Sequence, residues 1–260
     1  MNDSTDYQEK KAFFDQVLTV YGRNAVLDAL RDANLPCYSI HLAESNRDNA
    51  AIAEIKRIAQ TRDIPLKTHS RVALARISRN GKQDQGVAAD IICPGFMSLQ
   101  DFLAKLDHNK PCRLLALDGI TNPQNLGMII RSAAAGNIDG IIWSKRGNAT
   151  LGPLVIKASV GTVYRAPILS CHDLPGSLQD CADKGFDVYT LEADANESLF
   201  AGARAKQAIY VLGNESDGVS KAVSNVANRA LSIPMNNGVE SLNVAVAASL
   251  IAYAQGLSRD

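Results

Sequence analysis

Cysteine and histidine are scarce in this chain of 260 residues, which contains five cysteines and four histidines. The cysteines are odd in number and widely spread, no two form a Cys-x-x-Cys pair, and none stands at metal-ligand spacing from a histidine. We therefore expect buried free thiols in a reducing cytoplasm, with no disulfide framework and no metal site. The cysteines are Cys37, Cys93, Cys112, Cys171 and Cys181.

Long apolar runs and an excess of charge are also missing. No apolar run reaches the roughly 18 residues that a bilayer span requires. The N-terminal stretch "MNDSTDYQEKKAFF" is too polar for a secretory signal peptide. The formal net charge of +0 argues against nucleic-acid binding by bulk electrostatics, although a local basic patch remains open. We expect a soluble cytoplasmic protein without a membrane partner.

The signatures of several common enzyme classes are absent as well. No Gly-x-Gly-x-x-Gly follows the first strand of the N-terminal half, which disfavours a nicotinamide-dependent oxidoreductase. No Gly-x4-Gly-Lys-Ser/Thr loop is present, and no His–Ser or His–Cys nucleophile elbow stands out. Among the histidines, only His69 adjoins a segment of functional interest, and the others are expected to be surface or packing residues.

The N-terminal part has the pattern of a small α/β unit at residues 17–94. A frayed or helical leader at 1–16 precedes it, and a linker with one helix follows at 95–111. Apolar residues at helical spacing alternate with short β-rich runs. Helices are predicted at "YGRNAVLDALRDA", "NRDNAAIAEIKRIAQTRD" and "VALARIS", and strands at "CYSIHLA", "IPLKTHS" and "GVAADIIC".

The remainder, residues 112–260, alternates short apolar strands with helices. This alternation predicts a mostly parallel sheet covered on both faces, in which ligands bind at the carboxyl ends of the strands. The predicted strands are "RLLALDG", "GIIWS", "TVYRAPIL", "FDVYTLEA", "AIYVLGNE" and "ALSIPM". The predicted helices are "LGMIIRSAAAGN", "PLVIKAS", "DLPGSLQDCADKG", "KAVSNVAN" and "LNVAVAASLIAYAQGL".

Three of these strand ends carry unusually polar loops: "ITNPQNLGMIIR", "NESDGVS" and "NNGVESLNVAVAAS". Each polar residue in them has a structural interpretation beside a functional one. Asn125 suits a helix N-cap, as does either Ser241 or Asn243. Arg131 stands among apolar neighbours, so we expect it to be buried and to need a ligand or a salt bridge to Asp118 or Glu215.

The glycines of these loops suggest close approach of the main chain. Gly127 lies one helical turn before Arg131 and is expected to leave space beside the guanidinium. Gly213 would let a ligand reach the backbone, with Glu215 supplying a charge. The alternative interpretation of "LGNESDG" is a plain glycine-containing turn.

A local basic cluster follows His69, and two further cations lie in "SKRGNAT". Runs of this kind are usually solvated helix faces, while the functional alternative is an edge that contacts RNA phosphates. The candidate RNA-binding residues are Arg71, Arg76, Arg79, Lys82, Lys145 and Arg146.

Together, the three loops resemble the three sequence motifs of the SpoU/TrmH ribose methyltransferases of the SPOUT superfamily. "NPQNLGMIIRSAAAG" matches an Asn-x-Gly-x-x-x-Arg core, "VLGNESDGVS" matches Gly-x-Glu-x-x-Gly, and "IPMNNGVESLNVAVAAS" matches Ile-Pro-Met followed by Ser-Leu-Asn-Val. Their order across roughly the last 150 residues makes the match specific. The region from "YGRNAVLDAL" onward looks, more loosely, like the ribosomal-protein-like RNA-binding domain of rRNA-modifying members.

The resemblance implies an α/β SPOUT domain with a deep trefoil knot, which the usual rules of chain connection would not predict. It implies S-adenosylmethionine as cofactor, bound between the second and third motif loops. It also implies a homodimer, with the apolar last helix "VAVAASLIAYA" in the interface. The cofactor-binding residues implied are Gly213, Ile233, Leu242, Met235, Leu191 and Thr190.

The implied reaction is methyl transfer to a ribose 2′-hydroxyl, for which Arg131 is the family's base. A guanidinium is normally protonated, so Arg131 is either unusually acidic or only orients the hydroxyl while an RNA phosphate assists. Asn125 would position the ribose or Arg131, and Glu215 would hold Arg131 or a loop. Ser241 and Asn243 would orient the substrate and the knot loop.

The substrate implied first is a guanosine of 23S rRNA in a loop or splayed conformation, because the target ribose must be accessible. A tRNA position is the alternative within the class. A non-catalytic RNA-binding or ribosome-assembly protein is the alternative from another class. One departure from the family pattern is the segment "RSAAAG", which lacks the acidic residue that often follows the arginine.

Overall fold

The computed structural model describes residues 3–47, 49–201 and 205–254 and has the predicted α/β architecture. The α-helices are α1 (Asp3–Asp15), α2 (Arg23–Arg31), α3 (Ala50–Thr61), α4 (Arg71–Ser78), α5 (Leu99–Lys105), α6 (Pro123–Ala135), α7 (Pro153–Ala158), α8 (Leu174–Asp183), α9 (Lys221–Ser224) and α10 (Val244–Tyr253). The strands are β1 (Val17–Tyr21), β2 (Cys37–Ala43), β3 (Leu66–His69), β4 (Val87–Ile92), β5 (Met97–Ser98), β6 (Cys112–Leu117), β7 (Gly140–Ser144), β8 (Ile168–Cys171), β9 (Asp187–Leu191), β10 (Glu197–Ser198), β11 (Gln207–Leu212) and β12 (Arg229–Ser232).

The N-terminal unit is a four-stranded mixed sheet in the order β1-β4-β2-β3. Strand β1 was not predicted, and its last residue, Tyr21, was wrongly included in the predicted helix "YGRNAVLDALRDA". One face of the sheet packs against α2 and α3 through residues such as Leu30, Ile52 and Ile55, which are fully buried. The other face packs against α4 through Leu74. The helices cover the two faces of the sheet, and the loop after α4 lies beside the second unit.

The second unit is an eight-stranded sheet, β10-β12-β9-β11-β6-β7-β8-β5, in which every pair is parallel. Alternate residues of its strands point to opposite faces. In β6, Leu114 packs with α5, α8 and α9, while Leu115 packs with α6, α7 and α10. Burial of both faces explains why the strands read as continuous apolar runs.

Three further details differ from the sequence predictions. The strand predicted at "TVYRAPIL" was wrong in its first half, where Thr162–Tyr164 forms a 3-10 turn and the strand begins only at Ile168. The left-handed backbone of Gly161 (φ 74°) and the burial of Val163 select the turn over strand propensity. The short strands β5 and β10 were not predicted, and β5 places part of the predicted linker in the second sheet.

The two units contact each other directly. Arg165 Nη2 lies 2.7 Å from Asp32 Oδ2, and this ion pair lowers the pKa of Asp32 through the hydrogen bond from the guanidinium. Gly95 packs against the backbone of Ala166, where a Cβ would lie only 2.5 Å from the carbonyl oxygen. One apolar core runs through both units, so the loops at their junction have defined positions.

The cysteines are free thiols. Burial raises the pKa of Cys93, Cys112 and Cys181 to about 12, so none of these three is a reactive thiolate at neutral pH. Among the described residues, no helix is long and apolar enough to span a membrane.

A buried polar network crosses the N-terminal sheet. His41 Nε2 lies 2.9 Å from Asp90 Oδ2, and His41 Nδ1 lies 2.9 Å from His69 Nε2. Thr19 and Ser39 also donate to Asp90, at 2.8 and 3.1 Å. Burial opposes ionisation of Asp90, but these hydrogen bonds outweigh it and lower its pKa. Burial, with repulsion from His41 and Lys67, lowers the pKa of His69.

This network predicts a pH-dependent stability. The folded pKa of His69 lies below the unfolded value of about 6.5, so the unfolded chain takes up the proton first as pH falls. The free energy of unfolding should therefore decrease as pH falls through and below about 6.5, while Asp90 stays ionised. Urea unfolding across this range should show the decrease in the wild type and a flatter profile in His69→Gln. The exposed His172→Gln is the control, and an equally flat profile in it would contradict the assignment.

Candidate active site

A cavity of about 370 Å³ lies at the carboxyl ends of β9, β11 and β12, beside the start of α10. This is the edge of a parallel sheet at which ligands were predicted to bind. Its walls combine apolar side chains with the main chain of Gly213. The predicted cofactor residues that line it are Leu191, Gly213, Ile233, Met235 and Leu242.

Thr190, the other predicted cofactor residue, lies behind the cavity wall. Its side chain is buried, and its hydroxyl donates to Glu192 Oε1 at 2.9 Å. Glu192 does line the cavity, although it was not predicted to do so. Glu192 follows the last residue of β9, where the chain leaves the sheet beside the cavity, whereas Thr190 lies inside the strand and is covered.

The loop after β11 folds back over Gly213 as a tight turn. Asn214 and Gly218 exchange two backbone hydrogen bonds of 2.9 Å, and Asn214 Nδ2 donates to the carbonyl of Gly119 at 2.7 Å. A Cβ on Gly213 would overlap the backbone of Gly218 and Val219. Glycine is therefore required at position 213 for the loop to close.

Three polar side chains from the three loops meet beside the cavity. The amide of Asn125 donates to Glu215 Oε1, and Asn243 Nδ2 lies 3.2 Å from both Asn125 Oδ1 and Glu215 Oε1. We refer to these three residues as the amide–carboxylate cluster. Asn125 is buried, and Glu215 and Asn243 also line the cavity. The cluster fixes the three loops relative to one another.

The N-cap alternatives are decided by these contacts. The cap of α6 is Asn122, whose side chain accepts from the Gln124 amide at 2.9 Å, so the N-cap interpretation of Asn125 was wrong. Asn243 caps α10 through the Ala245 amide at 2.8 Å and still reaches the cluster. Ser241 is exposed and lines the cavity.

Comparison with known proteins shows the family of this chain. The family model described as "SpoU rRNA Methylase family" matches residues 113–253, which contain all three motifs. The chain belongs to the SpoU rRNA methylase family. A second family model, "RNA 2'-O ribose methyltransferase substrate binding", matches residues 19–93. The resemblance inferred from the motifs is therefore confirmed, and the chain is an RNA methyltransferase by family.

Individual SpoU-like proteins cover most of the chain. An uncharacterised tRNA/rRNA methyltransferase of Mycolicibacterium vanbaalenii is 32% identical over 238 residues, which are 91% of this chain and 75% of that protein. An AdoMet-bound rRNA methyltransferase from Sinorhizobium meliloti has a TM-score of 0.64 at 19% identity, covering 98% of this chain and 92% of that one.

A third likeness is to the SpoU methyltransferase AviRb from Streptomyces viridochromogenes, solved with AdoMet. Its TM-score is 0.62 at 20% identity, over 92% of this chain and 89% of that one. Both structural likenesses establish the shared fold. The predicted methyl donor, S-adenosylmethionine, is confirmed as the one the SpoU family uses. The trefoil knot stays a prediction.

The SpoU-type arginine occupies an unexpected position. Arg131 is exposed, so its predicted burial was wrong. Its side chain makes no ion pair or hydrogen bond within the described parts of the chain. The two partners considered for it are engaged elsewhere, Asp118 with the Ser220 amide at 2.7 Å and Glu215 in the cluster. Helical periodicity accounts for the position, because Arg131 shares an outward stripe of α6 with Gln124, Met128 and Ala135.

Gly127 therefore does not make room for the guanidinium. A Cβ at this position would lie 2.5 Å from Ala158 Cβ and 2.8 Å from the Val155 carbonyl. Because residue 127 has no Cβ, α6 and α7 pack closely. This packing holds the first motif of the SpoU domain against the sheet.

The predicted RNA-binding cations have separate environments. Arg71 lies 3.7 Å from the buried carboxylate of Asp84 and donates to the Gly81 carbonyl at 3.3 Å, so it also orders the loop after α4. Arg76 and Arg79 are exposed on α4 and at its end. Lys82 lies in that loop, and Lys145 and Arg146 are exposed in the loop after β7.

Sequence reasoning missed the residues that shape the loops of the SpoU site. Asn148 donates to the Leu117 carbonyl at 3.0 Å and accepts from the Ile120 amide at 2.7 Å. Asp118 and Asn214 make similar bonds between the first and second motif loops. Asn and Asp at strand ends commonly bond nearby backbone groups, and this was the available signal.

Proposed function

We propose that this chain transfers a methyl group from S-adenosylmethionine to a ribose 2′-hydroxyl of structured RNA. The observation that carries the proposal is the convergence of the amide–carboxylate cluster on the cavity beside Gly213. The match of residues 19–93 to a substrate-binding domain of RNA 2′-O-methyltransferases supports RNA as the substrate.

The cavity suits S-adenosylmethionine. Gly213 forms part of the cavity wall beneath the closed turn, and Ile233, Met235 and Leu242 offer an apolar wall. Polar side chains, including Glu192 and Ser241, line the remainder. A few hundred Å³ with an apolar wall and a few polar groups is typical of small-molecule sites. When bound, the cofactor supplies a methyl group on a sulfonium, which is an electrophile that leaves as a neutral thioether.

The protein's task is to align the ribose oxygen with that methyl group and to accommodate the hydroxyl proton. We assign Asn125, Glu215 and Asn243 to positioning, because their mutual hydrogen bonds leave the cluster preorganised. Ser241 lies in the cavity wall, where it can orient the substrate. Arg131 contacts the ribose oxygen or its neighbouring phosphate, and its guanidinium orients the hydroxyl and stabilises negative charge on oxygen. The hydroxyl proton passes to a phosphate oxygen of the RNA and from there to water.

Ribosomal RNA is the substrate we place first, with a guanosine of 23S rRNA as the specific candidate and the cytoplasm as the location. The presence of the N-terminal unit favours a large structured RNA. A tRNA is the second candidate, and relatives named as tRNA/rRNA methyltransferases support both classes.

The SpoU domain also carries an exposed apolar face that suits a homodimer. Met128 of α6 and Val246 and Tyr253 of α10 are 41%, 46% and 48% exposed. The two helices are joined by a 2.8 Å hydrogen bond between Ser249 and Ser132. Arg131 lies on the same face of α6, while α10 lines the cavity through Val244 and Ala247. A second copy seated there would bring Arg131 into an enclosed site next to the cofactor.

Val246→Glu should therefore convert a dimer into a monomer. A carboxylate placed in an apolar interface loses solvation without gaining a partner, which strongly disfavours association. Sedimentation velocity gives the oligomeric state, and the melting temperature shows whether the subunit stays folded. The exposed Val72→Glu on α4 is the matched control and should remain dimeric. A wild-type monomer, or a variant that still dimerises, would contradict this interface.

The proposed activity is tested with labelled S-adenosylmethionine and total RNA lacking the modification. We expect label in a 2′-O-methylated nucleotide of one RNA species, which nuclease mapping then locates. Label in tRNA would replace the rRNA assignment. If the protein binds the cofactor but no RNA becomes labelled, the proposed methyl transfer to the RNAs supplied would be contradicted. Absence of both would favour the non-catalytic RNA-binding alternative.

A further inference from the structure

A second and larger cavity of about 740 Å³ forms a groove between the two units, outside the cofactor cavity. The N-terminal unit contributes the end of β1, the start of α2 and the loop after α4. The second unit contributes the loop after β6, the loop after β7 and the start of α7. Its lining residues include Tyr21, Asn24, Lys82, Gln83, Thr121 and Thr150.

The chemistry of this groove is cationic and rich in hydrogen-bonding groups. Lys82 is the charged residue among its lining residues, and no carboxylate side chain is among them, although the chain has as many acidic as basic residues. The side chains of Asn24, Lys82 and Thr150 are exposed and make no hydrogen bond or ion pair within the described ranges. Their donors and acceptors are therefore available to a ligand.

An aromatic ring completes the set. Tyr21 lines the groove, and its hydroxyl accepts from Asn80 Nδ2 at 3.0 Å, so the ring is held in place. A cation for phosphate, a fixed aromatic ring and exposed amides are the combination with which proteins bind unpaired nucleic acid. Of the Gln83 amide, the NH₂ group is available, because its Oε1 accepts from Asn80 Nδ2 at 3.0 Å. A groove of this volume has room for a few unpaired nucleotides.

The groove and the proposed reaction site both involve the first motif segment. Thr121 and Pro123 line it, and Asn125, half a turn further along α6, belongs to the amide–carboxylate cluster. The loop after β7 carries Lys145 and Arg146 and reaches the groove through Ala149 and Thr150. The groove is thus bordered by one basic segment from each unit, and these two segments are far apart in the sequence.

We infer that this interdomain groove binds an unpaired stretch of the RNA substrate adjacent to the nucleotide that is methylated. Lys82 contacts its phosphates, the amides of Asn24 and Gln83 contact base edges, and Tyr21 offers a stacking surface. The inference rests on the proposed function, because it assigns the groove to the substrate of that reaction.

The test measures binding of RNA by the full chain without cofactor, so it is independent of catalysis. The probes are a fluorescent single-stranded RNA of about ten nucleotides of mixed sequence and the blunt duplex of the same sequence. Anisotropy titrations at several salt concentrations between about 50 and 200 mM give the slope of log Kobs against log salt, which counts phosphate contacts.

Lys82→Gln should weaken single-strand binding several-fold and reduce the magnitude of the slope by about 0.7, the loss of one phosphate contact. Lys184→Gln, an exposed lysine after α8 on the opposite face of the sheet, is the matched control and should leave both unchanged. Thr150→Trp fills the groove without removing a charge and should weaken binding with no change in affinity for S-adenosylmethionine. The duplex should bind more weakly than the single strand.

Equal slopes for wild type, Lys82→Gln and Lys184→Gln, or a duplex that binds as tightly as the single strand, would overturn the inference. Its failure is distinguishable from failure of the proposed function. Methyl transfer with an unchanged KM for RNA in Lys82→Gln and Thr150→Trp would remove the groove assignment and leave the enzyme. Groove-dependent RNA binding without methyl transfer to any RNA would support the groove and remove the proposed reaction.

Discussion

Arg131→Ala should lower kcat for methyl transfer by about 10²- to 10⁴-fold, the range for loss of a group that assists proton transfer or stabilises the reacting oxygen. Stability should change little, because Arg131 is exposed and makes no ion pair in the described chain. Binding of S-adenosylmethionine should be retained, since Arg131 is not among the residues that line the cofactor cavity. Single-turnover assays with saturating RNA and cofactor measure the effect on chemistry.

Two further variants sharpen this result. Arg131→Lys keeps the charge but loses the planar guanidinium, so little activity should return if the geometry of the guanidinium matters. Arg229→Ala removes another exposed arginine, whose ion pair with Glu197 is long at 3.9 Å, and should keep full activity. Because Arg131 lies on the proposed dimer face, sedimentation must show that Arg131→Ala still dimerises. An unchanged kcat would mean that Arg131 does not touch the reacting atoms.

Gly213→Ala should damage the cofactor site by a steric route. The added methyl group would overlap the backbone of Gly218 and Val219, which no side-chain rotation can relieve. Overpacking of this kind typically costs about 1–3 kcal/mol. The turn can escape the overlap by opening, and cofactor binding must then close it again. A cost of that size corresponds to a rise in Kd of about 5- to 150-fold.

Calorimetric titration with S-adenosylmethionine and a thermal melt check this prediction. Asp217→Ala, at the exposed tip of the same turn, is the matched control and should bind normally. If Gly213→Ala bound the cofactor as tightly as the wild type, the ligand would not depend on the closed turn. The cavity at the strand ends would then be the wrong site.

Much of the secondary structure could be predicted from the sequence because burial imposes periodicity. Strand β7 was predicted with its observed bounds, and α3 shows the predicted face of Ile52, Ile55 and Ile58. The predictions failed where the secondary structure that a segment prefers locally differs from the one that tertiary packing imposes. "TVYRAPIL" begins with the β-prone residues Thr162, Val163 and Tyr164, yet these residues turn, because Gly161 is left-handed and the chain must enter β8 at Ile168.

The candidate site likewise has features that the sequence predicted and features that it could not predict. The motifs identified Asn125, Glu215 and Asn243, and they indicated most of the cavity wall, because their residue types and order are a property of the chain. The spacing of the motifs could not predict that Arg131 is exposed, since its exposure depends on which side of α6 faces the sheet. It also could not separate Thr190 from Glu192, because the difference depends on where β9 ends relative to the cavity.

The sequence by itself determined the α/β class, the family and the three loops that meet at one sheet edge. A parallel sheet brings its strand ends together whatever the packing around it, so that juxtaposition is contained in the order of strands. Only the tertiary structure decided that the asparagines and the glutamate bond to one another and that Arg131 faces outward. The tertiary structure alone also placed Lys82 and the loop after β7 beside the same groove, because their proximity depends on how the two sheets pack against each other.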